Sequence, residues 1–361
     1  MIAKPGVDVK VSEFFVQTGL NLLEGRYRLE EEITGGKSST AFFGVDEETG
    51  RQVFIKLAIF PRSELEKARF RNEARFLQSQ EGLNEIIKKT PEYLSHGELF
   101  DGRILYLITE RIEGQLLSAW FTENFEKCDL KERLLIAYRV FGASEYFGAF
   151  TNHRDLHPGN IILLDEPVDL RTDVPDFKTI ILDWGQSYSR LEASYGGNAD
   201  MITIHNGIGR EITNSFYNLP PETFVDWSSP EFEYSKYDSW AMGLLLYKLV
   251  TGADLFSFDN IGRFAEAMKH IESEVDRGMY RIHSQADSKT NILDSLIRRL
   301  LTKDHRQRMS IQTARQVLWF ILVEDFEPTD YRQTQIFLNN PYGFKGVRWK
   351  YFETDPLARI Y

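Results

Sequence analysis

The chain reads as an α+β protein with two lobes, a smaller β-rich one followed by a larger and mostly helical one. Three observations predict this. Short apolar runs separated by turn signals fill the first third, long segments of helical period fill the remainder, and the change falls at one short connection, Glu113-Gly114. No internal repeat or low-complexity tract interrupts either part. At 361 residues, 42% hydrophobic and 13% aromatic, the chain has enough apolar material for a large core, which excludes disorder throughout.

The elements follow in order. Residues 1–25 alternate weakly at Val7, Val9 and Val11 and then turn polar, so they read as an N-terminal arm. Residues 26–112 form the first lobe. Between Tyr27 and Ala58 an apolar-polar segment, the turn Gly35-Gly36-Lys37-Ser38-Ser39, a run Ala41-Phe42-Phe43-Gly44-Val45, the turn Glu47-Glu48-Thr49-Gly50 and a run from Gln52 to Leu57 make a three-strand meander. Ser63 to Gln80 carries helical periodicity at Leu65, Ala68, Phe70, Ala74 and Leu77, and two strands follow near Tyr93–Leu99 and Ile104–Arg111. Residues 113–325 form the second lobe, with long helices expected over Leu130–Phe150, Ser239–Thr251, Ile292–Leu301 and Ile311–Val323. Residues 326–361, rich in cations and aromatics, read as a tail that packs on the body.

Charge and cysteine narrow the function classes. Lys plus Arg number 43 against 54 Asp plus Glu, a net charge of −11. That balance argues against sequence-independent binding to nucleic acid or to an anionic membrane, while leaving room for a local cationic site. The single cysteine, Cys128, allows no intramolecular disulfide and no Cys-based zinc site. Met1 to Val11 shows no basic segment followed by an apolar run, and the stretch Ala241–Val250 is too short to span a bilayer. The expected location is cytoplasmic, or a host cytosol into which the protein is delivered.

Two segments carry chemistry. In His153-Arg154-Asp155-Leu156-His157-Pro158-Gly159-Asn160-Ile161 an Asp and an Asn lie five positions apart on a tight Pro-Gly loop. The Asp155 carboxylate is suited to accept a hydroxyl proton, and the Asn160 carbonyl to coordinate a divalent ion. Further on, Ile180-Ile181-Leu182-Asp183-Trp184-Gly185-Gln186 is an apolar strand that delivers one Asp beside a Gly. The Asp183 carboxylate suits Mg²⁺ bridging nucleotide phosphates. Each segment alone reads as an ordinary loop carboxylate; in this order and spacing they read as one site.

The pair resembles the protein kinase superfamily, whose signature comprises a Gly-rich loop, a strand Lys, a helix Glu, HRDxxxxN and DFG. The resemblance covers residues 26–325 and implies a bilobal kinase-like fold and ATP with Mg²⁺ as cofactors. It implies that Asp155 orients and deprotonates the acceptor hydroxyl and that Asn160 and Asp183 hold the metals. It further implies that Lys56 contacts the α- and β-phosphates, with Glu73, in Arg71-Asn72-Glu73-Ala74-Arg75-Phe76-Leu77, as its ion-pair partner. Of the three glycine positions of the nucleotide loop, here Thr34, Gly36 and Ser39, only Gly36 is Gly; Gly35, Lys37 and Ser38 complete the loop. Leu105 to Gly114 is similar to a kinase hinge, with Thr109 guarding the adenine pocket and the Glu110 carbonyl and Ile112 amide reading the adenine edge. Ser229-Pro230-Glu231, Asp238-Ser239-Trp240-Ala241-Met242-Gly243 and Asp304 to Ser310 resemble the scaffold segments APE, DxWxxG and DPxxRPT. By that resemblance Glu231 pairs with Arg308, and Asp238 holds the catalytic loop from below.

The chain also departs from the family pattern. His157 stands where Ser/Thr kinases place a Lys against the γ-phosphate, and it is retained as a hydrogen-bond donor in the catalytic set. Trp184 replaces Phe. The stretch from Asp183 to Glu231 spans 48 positions and holds Tyr188, Ser189, Thr203, Thr213 and Ser215 as possible phosphorylation sites, with Arg154 as the docking cation for such a phosphate. Phe224 lies seven positions before Glu231, where the family commonly has Thr. Residues 165–178 read as an enlarged hairpin. Three functions fit: a protein kinase acting on Ser or Thr of a protein substrate, a small-molecule or atypical transferase on the same fold, and a pseudokinase scaffold.

Overall fold

The computed structural model describes residues 15, 19–33, 40–82, 88–148, 151–165, 178–189, 218–224, 236–256, 261–276, 288–323 and 338–339. The chain divides into two compact units, Met1–Glu113 and Gly114–Tyr361.

The first unit is an antiparallel sheet with one long helix. Its strands, β1 (Leu22–Leu23), β2 (Tyr27–Ile33), β3 (Thr40–Asp46), β4 (Gln52–Ile59), β5 (Tyr93–Leu99) and β6 (Ile104–Glu110), run in the order β1-β2-β3-β4-β6-β5. The two-residue period of β4 sends Val53, Ile55 and Leu57 into the core and places Lys56 on the opposite face. Phe15 and Leu23, from the N-terminal arm, complete that core beside Tyr27, Phe42, Ile55 and Ile108. Burying an aromatic of this size contributes about 1.5–3 kcal/mol. The β3–β4 turn is fixed by Asp46, which accepts from Arg26 Nε and Nη2 at 2.8 and 2.7 Å and from the Thr49 hydroxyl at 2.7 Å. The Arg26 hydrogen bond holds that carboxyl well below the usual range.

Helix α1 (Glu64–Ser79) begins at Ser63, whose Oγ accepts from the Glu66 N–H at 3.2 Å, while the Glu66 carboxylate reaches back to the Arg62 N–H. Its buried stripe runs through Phe70, Glu73, Ala74 and Leu77, spacings of three, four and seven. A charged residue therefore sits in an apolar stripe.

The second unit contains β7 (Gln115–Leu116), α2 (Leu117–Asn124), α3 (Leu130–Gly148), β8 (Thr151–Asn152), β9 (Ile161–Leu163), β10 (Thr179–Ile181), β11 (Tyr188–Ser189), α4 (Tyr237–Thr251), α5 (Ile261–Lys269), α6 (Ser288–Leu300) and α7 (Ile311–Val323). Helix α4 is apolar nearly all round, as an interior helix must be. Gly243 explains how closely its neighbour approaches: a Cβ there would lie 2.8 Å from Leu301 Cδ2 and 2.9 Å from Leu300 Cβ. Strands β9 and β10 form an antiparallel hairpin with Ile161 opposite Ile181, and β7 flanks β9. Arg139 closes the hairpin's open end by donating to the carbonyls of Leu164 and Lys178 at 3.0 and 2.5 Å, and the chain between those ends, 166–177, lies outside the described residues. Helices α2 and α5 and the short strands β7, β8, β9 and β11 were not individually expected from sequence, whereas β10 falls on the apolar strand expected before Asp183. Leu338 is buried, and the Asn339 Oδ1 accepts from Arg299 at 2.8 Å. Among the described residues no helix is long and apolar enough to cross a membrane.

One scaffold expectation is corrected. Arg308, with a side chain fully removed from solvent, is held in a bidentate pair by Glu222, at 2.6 and 2.7 Å. Its remaining donors reach the carbonyls of Thr302 and Lys236, and its guanidinium lies 5.4 Å from the Trp240 ring centroid. The Pro-Glu that matters is therefore Pro221-Glu222. Glu231, expected in this role, lies outside the described residues. Counted from Glu222, the stretch after Asp183 shortens to 39 positions, and the residue seven before it is Ser215, a hydroxyl, in place of Phe224. Replacing Glu222 with Ala strands a buried guanidinium, and thermal unfolding is expected to show a loss of about 3–5 kcal/mol. Glu222→Leu combined with Arg308→Met should recover most of it, since both charges are then removed together.

Candidate active site

In the first unit, Lys56 Nζ donates to Glu73 Oε2 at 2.7 Å. Lys56 projects from β4 between Ala41 of β3 and Leu107 of β6, and Glu73 from the buried stripe of α1. Both side chains are largely shielded, so the pair is a short, charge-assisted contact and not a surface bridge. Thr109 and Glu110 end β6 and are buried. The Thr109 hydroxyl donates to the Glu110 carbonyl at 3.2 Å. The Glu110 carboxylate turns toward the segment before β5, accepting from the Glu92 N–H at 2.7 Å and Lys88 Nζ at 2.5 Å. Ile112 follows in an irregular, part-exposed stretch. Gly35, Gly36, Lys37, Ser38 and Ser39 lie outside the described residues.

In the second unit the loop 153–160 is hung from one carboxylate. Asp238, at the start of α4, accepts the backbone N–H groups of His153 and Arg154 at 2.6 and 2.9 Å. Burial pushes its carboxyl up to about 6, against the lowering effect of those two hydrogen bonds. The clamp holds Arg154 at φ +68°, a left-handed conformation that costs a non-glycine residue about 1–2 kcal/mol. The Arg154 guanidinium lies 5.8 Å from the Tyr237 ring centroid. His153 is fully buried, and burial lowers its pKa to about 4, so the ring is neutral. Its Nε2 contacts the Leu182 carbonyl at 2.7 Å and its Nδ1 accepts the Asp155 N–H at 3.2 Å, which assigns the proton to Nε2.

These contacts bring Asp155, Asn160 and Asp183 into one local frame. The Asn160 side chain donates from Nδ2 to the Asp155 carbonyl at 3.0 Å, while its own carbonyl accepts from the Leu182 N–H at 2.9 Å. That second bond extends the β9–β10 register by one step and delivers Asp183 next in line. Asp183 sits at φ +56°, a left-handed conformation that Asp tolerates better than most residues. Trp184, nearly fully buried, donates from Nε1 to the Ile181 carbonyl at 3.0 Å and packs edge-on against His153 and Phe147, with centroids 4.6 Å away. His157 caps the turn Pro158–Asn160, its Nδ1 accepting the Gly159 N–H at 3.1 Å, so its donor is Nε2.

Two residues of this neighbourhood were missed in the sequence. Gln186 donates from Nε2 to Asp155 Oδ2 at 2.9 Å; the available signal was a polar side chain directly after Asp-Trp-Gly. Glu222 was the other; after Asp183, Pro-Glu occurs both at 221–222 and at 230–231, and the sequence alone pointed to the later pair.

The donor set fits a magnesium-bound nucleotide. Asn160 spends its Nδ2 on Asp155, so its amide oxygen would be the atom to face an ion, and Asp183 would add one carboxylate. Among the described residues no group of three His, Cys, Asp or Glu is placed to cage an ion alone. One or two protein oxygens completed by phosphate oxygens and water is the set Mg²⁺ takes.

Asp238 provides a pH test with a definite sign. Its folded value of about 6 lies above the ordinary 3.8, so between those values the folded chain keeps a proton that the unfolded chain has released. Its contribution to stability is full below the ordinary value and is lost as pH rises through about 6. The unfolding free energy of the wild type minus that of Asp238→Asn should therefore fall between about pH 4 and pH 7. A flat difference would show that the carboxylate titrates normally.

Comparison with known proteins gives a family for the chain. The protein kinase domain family matches residues 27–320. The chain is 26% identical over 260 residues to a probable serine/threonine-protein kinase, PknB, of Bifidobacterium longum, covering 70% of this chain and 34% of that protein. It is 26% identical over 257 residues to the serine/threonine-protein kinase PrkC of Bacillus subtilis, with 70% and 34% covered. It is 23% identical over 313 residues to the serine/threonine-protein kinase PKZ1 of Phytophthora infestans, with 84% and 73% covered. The matched part of the chain spans about a third of the length of these two bacterial relatives. With a family match over residues 27–320, most of its length, the chain belongs to the protein kinase family.

Proposed function

We propose that the chain is an ATP-dependent protein kinase that transfers the γ-phosphoryl group to a Ser or Thr hydroxyl of a protein substrate. The observation that carries this reading is the double use of Asn160, whose side chain holds the Asp155 backbone while its own backbone sets Asp183 in place. An acid-base carboxylate and two metal-type oxygen ligands are thereby fixed by one residue. The protein acceptor is favoured by the Glu222–Arg308 pair and the Asp238 clamp, which build the scaffold of a protein-kinase-type second lobe, and by the serine/threonine-kinase names of the relatives.

In this reading Lys56 Nζ, oriented by Glu73, binds the α- and β-phosphate oxygens. Mg²⁺, bound with the nucleotide, would neutralise charge developing on the β- and γ-phosphoryl oxygens. Asn160 and Asp183 supply the protein oxygens for that ion. Asp155 orients the acceptor hydroxyl and takes its proton as the new P–O bond forms and the bond to the ADP oxygen breaks. His157 Nε2 donates to a γ-phosphoryl oxygen. Gly35, Gly36, Lys37, Ser38 and Ser39 supply loop donors to the phosphates, and Thr109, Glu110 and Ile112 line the adenine site.

The test is label transfer from γ-labelled ATP with Mg²⁺ to the chain itself or to a basic protein acceptor. Asp183→Ala should abolish transfer, and Lys56→Ala should lower it by ~10²–10³ with the fold retained by circular dichroism. Full activity in Lys56→Ala would remove the phosphate role of that lysine. ATP consumption with a metabolite mixture but no protein labelling would point to a small-molecule acceptor instead.

A further inference from the structure

We infer that Gln186 is a positioning residue for the base, setting the rotation of the Asp155 carboxyl and coupling it to the Asp183 turn; this rests on the kinase reading above. The backbone of Asp155 is already fixed at both polar groups, its N–H by His153 Nδ1 and its carbonyl by Asn160 Nδ2. Neither contact involves the carboxyl itself. Gln186 reaches it, donating from Nε2 to Asp155 Oδ2 at 2.9 Å.

The donor is rooted firmly. Gln186 closes the single turn Trp184–Gln186, which follows Asp183 directly and is tied by the Ser187 N–H to the Trp184 carbonyl at 3.0 Å. Trp184 in turn is anchored by its indole N–H and by His153 and Phe147. A carboxamide on that root reports the conformation of the Asp183 turn to the base 31 positions earlier in the chain. The base is correctly rotated only while the metal-binding turn is in this conformation.

The chemistry of the donor matters too. The residue two after the base, His157, has committed Nδ1 to the Gly159 N–H. The Gln186 donor comes from the other segment and carries no formal charge.

Two variants test this, each assayed by γ-labelled ATP transfer to a basic protein acceptor beside wild type. Gln186→Leu keeps the volume and removes the donor. It should lower kcat about ten- to hundredfold, as expected for losing a hydrogen bond to a charged group, with the KM for ATP and the melting temperature unchanged. Gln186→Glu is nearly isosteric and sets a second carboxylate against Asp155 in place of the donor. It should lower kcat at least as far, again with the KM for ATP unchanged. A kcat within about threefold of wild type in either variant would overturn the inference. Because Gln186→Glu keeps the size and shape of the side chain, it decides the matter even if the Leu variant is less stable. A wild type that transfers no label would fail at an earlier point: the kinase reading falls, and this inference with it.

Discussion

The second unit's site depends on a single buried carboxylate. Asp238 accepts two successive backbone N–H groups, and no carboxylate can do this in an apolar interior without a cost in desolvation, seen in its raised pKa. What that cost secures is a backbone shape that would not persist alone. Arg154 is held in a left-handed conformation, His153 is turned so that its ring spans from Leu182 to Asp155, and the loop leaves the clamp already aimed at Asn160. Every other polar contact of the site is downstream of that geometry.

Orientation within the site is carried mostly by neutral groups. His153 is uncharged, Asn160 and Gln186 are carboxamides, and Trp184 fixes its turn through an indole N–H and ring packing. Neutral donors and acceptors can be fully satisfied in a small, partly dry space, and they leave the local field to the groups whose charge the reaction needs. In the first unit the logic differs. Lys56 and Glu73 are both charged and shielded, and each neutralises the other at 2.7 Å.

Most of this was legible in the sequence because it is short-range or follows a fixed register. Asp155 and Asn160 share one loop, and Asp183 follows a run of three apolar residues that reads as a buried strand. Lys56 was legible as a polar residue in an apolar strand. Glu73 reads in isolation as a solvated helix charge, yet it falls on the Phe70-Ala74-Leu77 stripe, and only the wider pattern reverses that reading. The misses have the opposite character. The partner of Arg308 is 86 positions away, and two Pro-Glu pairs after Asp183 compete for it, so local pattern had no means to choose. Gln186 acts through a contact across two loops, and an amide after Asp-Trp-Gly belongs to no pattern. Helices α2 and α5 are eight and nine residues long, too short for periodicity to separate them from connecting chain.

The most direct measurement of whether Asp155 is the base is the phosphoryl-transfer rate of Asp155→Ala, with Mg²⁺-dependent ADP affinity determined on the same preparation. Affinity close to wild type with transfer reduced by about 10²–10⁴ is expected, because general-base catalysis contributes on that order and the nucleotide contacts lie on other residues. Transfer within tenfold of wild type, with affinity intact, would contradict the role of Asp155 and the site built around it.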